Sequence, residues 1–94
     1  MQDKRETVCW PVPDDAMAGR IKRNDCAMVE KGAPASDGQV VLASVNGEEP
    51  ILRRYSRHED LVVLRADNPA YAPICAALGD VRIVGRVAWV RCIP

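Results

Sequence analysis

No phenylalanine occurs in these 94 residues, and the aromatic set amounts to two Trp and two Tyr. A core without many large rings must be filled by Val, Leu, Ile and Ala, and the β-branched members of that set favour strands. Net charge is missing as well, because thirteen Lys and Arg cancel thirteen Asp and Glu. A module that grips phosphate backbones concentrates positive charge, so no nucleic-acid-binding surface is expected in the chain's own right. The one basic knot, Arg53, Arg54 and Arg57, is followed at once by Glu59 and Asp60 and reads as a solvated strand end. The single histidine, His58, stands in an apparent polar turn and reads as a surface residue rather than a catalytic base. No apolar run has membrane-spanning length and no basic-then-apolar leader opens the chain, so no membrane partner is expected and the location is expected to be cytoplasmic.

The four cysteines, Cys9, Cys26, Cys75 and Cys92, are widely spaced and lack the Cys-x-x-Cys pairs with His partners that structural zinc requires. No metal and no cofactor is expected. Four free thiols in a reducing compartment is the favoured reading, although spacing alone does not exclude a disulfide.

Residues 1–7 read as a linker or disordered start, and residues 8–94 as a single domain. A domain this small buries a modest share of its surface, so a partner chain is the natural source of extra stability. Pro11 and Pro13 keep the apolar patch Val8-Cys9-Trp10 extended, and Asp14 to Arg20 has room for one helical turn. From Cys26 the pattern turns to strands. Cys26 to Val29 is a compact apolar run stopped by the turn-rich stretch Lys31 to Gly38. Gln39 to Val45 is followed by Asn46-Gly47, a strong hairpin signal because both central positions of a type I′ turn need positive φ. The return strand is placed at Glu49 to Tyr55, and a polar turn at Ser56 to Asp60. Leu61 to Ala66 carries four apolar residues in a row, which implies burial on both faces. Asp67 to Pro73 is a loop fixed by two prolines, extended by Ile74 to Leu78. The expected fold is mainly β: a compact antiparallel domain with at most short helical turns.

The final strand, Val81 to Cys92, alternates, with Val81, Ile83, Val87 and Trp89 on one face and Arg82, Val84, Arg86, Ala88 and Val90 on the other. Gly85 in its middle indicates a bulge or a close backbone approach. The second face mixes Val84 and Val90 with arginines. Val84, Arg86, Ala88 and Val90 are therefore candidates for a pairing edge or a homodimer interface, with cover by the chain's own loops as the equal alternative.

The order of these segments resembles the C-terminal domain of LexA-like repressors, shared by phage repressors of the lambda type and by UmuD, the S24 peptidases. The resemblance rests on Asp14-Asp15-Ala16-Met17, then Asn24-Asp25, then Asp37-Gly38-Gln39-Val40-Val41, then Ile51-Leu52-Arg53-Arg54-Tyr55. Asn68-Pro69-Ala70-Tyr71-Ala72-Pro73-Ile74 and Ile83-Val84-Gly85-Arg86-Val87 complete it. Each piece is ordinary alone, and six in order across most of one chain are not.

The resemblance implies a dimerising, mostly antiparallel β fold whose active members attack a peptide carbonyl with a serine, assisted by a neutral, desolvated lysine. The serine position matches Ala16 and the lysine position matches Arg53, so both halves of the dyad are replaced and no catalytic residue is assigned. A lone Ser→Ala would suit an engineered inactivation, whereas the accompanying Lys→Arg favours a naturally non-cleaving homologue. Ser36, Ser44, Ser56, Lys4, Lys22 and Lys31 show no spacing that predicts a substitute dyad, and the Ala18-Gly19 pair imitates a cleavage dipeptide on the wrong side of Ala16. The implied function is a regulatory and dimerisation domain of a repressor that binds DNA only through a separate N-terminal helix-turn-helix domain and is relieved by an antirepressor protein. An engineered autocleaving peptidase and a UmuD-like free-standing polymerase-accessory protein are the alternatives.

Overall fold

A computed structural model describes residues 6–18 and 21–91. Most of the expected linker, Lys4, Gly19 of the Ala18-Gly19 pair, and Cys92 lie outside the described residues. Among the described residues seven strands form one sheet: β1 (Thr7–Pro11), β2 (Cys26–Lys31), β3 (Val40–Val45), β4 (Ile51–His58), β5 (Leu61–Arg65), β6 (Ile74–Ala77) and β7 (Val81–Arg91). A 3-10 turn, Leu78–Asp80, joins β6 to β7. The sheet order is β1-β2-β7-β3-β4-β5-β6 and every pairing is antiparallel, as expected for a mainly β domain.

Asn46 and Gly47 take φ of 54° and 75°, and the Glu48 N–H donates to the Val45 carbonyl at 3.0 Å, giving the tight hairpin that the Asn-Gly pair signals. The strand that follows runs further than expected. β4 continues through Ser56 to His58, and Glu59-Asp60 alone turns the chain into β5, with Glu59 at φ 55°. Asp14 to Ala18 forms turns without a helix, and Ile74–Ala77, expected as loop, adds an edge strand.

Two apolar clusters hold the sheet. One gathers Val12, Met17, Ile21, Ala27, Val29, Leu42 and Leu52, and the other gathers Val41, Ala43, Tyr55, Val62 and Leu64. The strand buried on both faces is β3, since Leu42 enters the first cluster while Val41 and Ala43 enter the second. The expectation that β5 would be the doubly buried strand fails. Val62 and Leu64 are fully buried, whereas Leu61 is 43% exposed, because β5 is flanked by the short edge strand β6 and its second face meets solvent.

The alternation expected for β7 breaks twice. Leu42 pairs with Gly85 and Ala43 with Ile83, leaving Val84 as an extra residue; Met28 pairs with Trp89 and Val29 with Val87, leaving Ala88 as another. Each bulge shifts the period by one. Val81 and Ile83 accordingly pack on the second cluster while Val84, Val87 and Val90 pack on the first, and Trp89 is left 55% exposed. Gly85 is also the point of close approach: a Cβ there would overlap the Glu30 carbonyl oxygen and lie 2.7 Å from Val29 Cγ1.

The expectation of four free thiols is overturned. Cys9 and Cys26 are joined by a disulfide, and Cys75 is free and exposed. The register explains what the 17-residue separation hid: Cys9 opposes Met28 and Cys26 opposes Pro11, so the two cysteines are diagonal neighbours on one side of the β1–β2 ribbon.

Gly85→Ala is expected to destabilise the domain by about 2 kcal/mol or more, because β2 and β7 must part to admit the methyl. A urea midpoint unchanged from the parent would show that the strands yield freely there.

Candidate functional site

The segment from Val12 to Ile21 leaves β1 and covers the first cluster, planting Val12, Met17 and Ile21 in it. Ala16 sits in this cover with no exposed surface. Its local shape is set by Asp14, whose Oδ1 accepts the Ala16 N–H at 3.1 Å, and by the Ala18 N–H, which donates to the Asp15 carbonyl at 3.0 Å. An Asp two residues before the site is a side chain that readily makes such a turn.

The loop after β5 fastens this segment from outside. The Asn68 backbone N–H donates to the Ala16 carbonyl at 2.8 Å, its Nδ2 donates to the Asp15 carbonyl at 3.0 Å, and the Tyr71 hydroxyl accepts the Asp15 N–H at 3.4 Å. That loop is itself anchored by Arg54, which grips both Asp67 oxygens at 3.0 and 2.8 Å and the Gly38 carbonyl at 2.7 Å. The bond from Asp67 holds the Arg54 pKa above its ordinary value, against the opposing effect of burial.

Arg53, next along β4, is 6% exposed. Its Nη1 donates to the Leu52 carbonyl at 2.8 Å and lies 3.7 Å from Asp14 Oδ2, while its guanidinium carbon stands 5.4 Å from the centre of the Tyr71 ring. The Nε is buried without a hydrogen-bond partner. Ala16 and Arg53, 37 positions apart in the sequence, thus meet the two oxygens of one carboxylate. Sequence reasoning singled out both positions and missed Asp14, Asn68 and Tyr71, the residues that join them.

The chemistry available is narrow. A methyl carries no hydroxyl with which to attack a carbonyl, and a guanidinium offers only donors and stays protonated, so it accepts no proton. The remaining candidates are engaged or distant in role. Ser44 Oγ donates to the Glu48 carbonyl at 2.6 Å within the β3–β4 hairpin, Lys31 Nζ pairs with Glu6 at 3.4 Å, Ser36 and Lys22 are exposed, and His58 ends β4 in solvent. Among the described residues no group of three or more His, Cys, Asp or Glu converges on a metal position, and no helix is long and apolar enough to cross a membrane.

The candidate interface residues are not equivalent. Val84 and Val90 pack partly on the first cluster, Arg86 Nη2 pairs with Glu30 Oε1 at 2.8 Å, and Ala88 is exposed beside Trp89. β7 is also staggered: Val81 to Arg86 pair with β3, whereas Gly85 to Arg91 pair with β2. Among the described residues, Val87 to Arg91 therefore have a strand on one side only.

Asp14→Ala is expected to cost about 2 kcal/mol, since it leaves the buried Arg53 charge with Leu52 and Tyr71 alone and removes the acceptor of the Ala16 N–H. In the Asp14→Ala, Arg53→Leu double variant the two losses should be clearly less than additive. Strict additivity of unfolding free energies would mean that the two side chains do not act together.

A family model described as Peptidase S24-like matches residues 1–88. The LexA repressor of Geotalea uraniireducens is 34% identical over 79 residues, covering 82% of this chain and 39% of that protein. The LexA repressor of Magnetococcus marinus is 35% identical over 79 residues, covering 83% of this chain and 34% of its own, and that of Citrifermentans bemidjiense is 35% identical over 79 residues, covering 82% and 39%. The chain spans about two fifths or less of the length of these curated relatives. With a family model over residues 1–88 and relatives above 30% identity over more than four fifths of its length, the chain belongs to the Peptidase S24-like family.

Proposed function

We propose that this chain is the regulatory and pairing domain of a LexA-like or phage-type transcriptional repressor, and that it does not cleave itself. The observation that carries the reading is the site built on Asp14, with the Ala16 backbone on one carboxylate oxygen and the Arg53 guanidinium on the other. Serine–lysine hydrolysis needs a hydroxyl nucleophile and a neutral amine to receive its proton. Neither group is supplied at the positions that resemblance assigns to them, and loss of one member of such a unit generally removes most of the rate.

The relatives named above are LexA repressors, which supports a repressor role for the longer protein this domain would serve. DNA reading is assigned to a separate N-terminal helix-turn-helix domain. Two such heads held by a dimer bind a two-part site with the second contact made intramolecular, so pairing supplies affinity that one head lacks. The free edge at Val87 to Arg91 supports pairing through β7, where two copies would meet edge to edge across a two-fold axis. A repressor that is not relieved by self-cleavage needs another release, and an antirepressor protein acting on this domain fills that role. The location is the cytoplasm, with the DNA, and no metal or cofactor takes part.

Two outcomes are expected. Incubated with activated RecA or at alkaline pH, together with any segment encoded before Met1, the protein should yield no specific fragment by mass spectrometry; a single defined cut would overturn the non-cleaving reading. Ala88→Arg, a change at an exposed position, should convert a dimer to monomer in sedimentation velocity while the β signal in circular dichroism is kept. A sedimentation coefficient that does not move would exclude this edge as the contact.

A further inference from the structure

The disulfide between Cys9 and Cys26 closes a covalent loop around the segment that carries Asp14, Ala16 and Met17. Every residue with which that segment meets Arg53 or seals the first cluster, from Val12 to Ile21, lies inside the loop. The two cysteines are unequal: Cys9 is exposed on the edge strand β1, and Cys26 is 6% exposed on β2. Their Cα atoms are 5.6 Å apart, inside the usual span of a bridged pair. The register of β1 on β2 places the two cysteines as diagonal neighbours. The reduced state is also provided for, because Met28 Sδ lies 3.8 Å from Cys26 Sγ and offers a weak acceptor to a thiol.

We infer that Cys9 and Cys26 are a redox clasp on the site-bearing segment, closed by a small-molecule disulfide and opened by excess thiol. In closing, the exposed Cys9 thiolate attacks one sulfur of the reagent, forming a mixed disulfide and releasing one thiol. The Cys26 thiolate then attacks the Cys9 sulfur and expels the second thiol. The two protein thiols lose two electrons and two protons, and the reagent disulfide gains them as its two S–H groups. Closure limits the freedom of the unfolded chain over the 17-residue separation and ties the edge strand β1 to β2. It thereby holds Asp14 at Arg53. When the clasp is open, β1 keeps its pairing with β2 and the packing of Val8 and Trp10 on the first cluster but loses the covalent tie, and the segment lifts more easily from that cluster.

The test compares the purified protein equilibrated with oxidised glutathione and with dithiothreitol. In the oxidised sample a tryptic map should contain Cys9 cross-linked to Cys26, with Cys75 open to alkylation. The melting temperature should stand about 10 °C above that of the reduced sample. Cleavage by trypsin at the exposed Lys22 and Arg23 should be slower in the oxidised sample, by about fivefold or more. Cys9→Ser, a change at an exposed position, should abolish both differences, and Cys75→Ser should leave them in place. The clasp is overturned if Cys9 and Cys26 both remain open to alkylation in the oxidising buffer, or if either pairs instead with Cys75 or Cys92. Equal melting temperatures and equal cleavage rates in the two samples would overturn it as well.

Discussion

The sheet depends on a strand that the chain makes last. β7 lies between β2 and β3, and neither of those neighbours is joined to the other except through it. Without Val81 to Arg91 the remaining pairings would join β1 only to β2, and β3 only to β4, β5 and β6. Inserting β7 requires its backbone to approach β2 more closely than a side chain allows at one point, and Gly85 is placed there. The two bulges then turn its valines so that one strand serves both clusters.

The site follows from the same arrangement. β4, held by β3 and β5, presents Arg53 from one side; the cover over the first cluster presents Asp14 and Ala16 from the other; and the loop after β5 brings Asn68 and Tyr71 across both. The charge of Arg53 is tolerated at 6% exposure because a carboxylate, a carbonyl and an aromatic face surround it. These partners are arranged for a permanent cation. A proton acceptor in the same place would need the opposite, a setting that favours the neutral form.

Much of the fold was legible because it is written in local chemistry. Asn46-Gly47 announces its hairpin through the φ values that only a few residues accept, and the prolines at 69 and 73 mark the loop that docks on the site. Motif order pointed to Ala16 and Arg53, and the fold brings both to the Asp14 carboxylate. What escaped depends on register and on neighbours far along the chain. Nothing in Leu61-Val62-Val63-Leu64 says that the next strand will be short and leave Leu61 in solvent, and nothing in the alternation of Val81 to Trp89 marks Val84 and Ala88 as extra residues. The cysteine pair was hidden for the same reason, since only the β1–β2 register makes Cys9 and Cys26 neighbours. The contact of Arg53 with Tyr71 joins a strand to a loop and leaves no periodic trace.

The Asp14 carboxylate gives positions 16 and 53 a shared mechanical part. The Ala16 backbone and the Arg53 guanidinium use its two oxygens to tie the cover over the first cluster to β4. Lysine at 53 would keep a cation but forfeit the planar fork's simultaneous reach to the Leu52 carbonyl and the Asp14 carboxylate. The two positions act as a fastener, so a change at one should be felt at the other through Asp14.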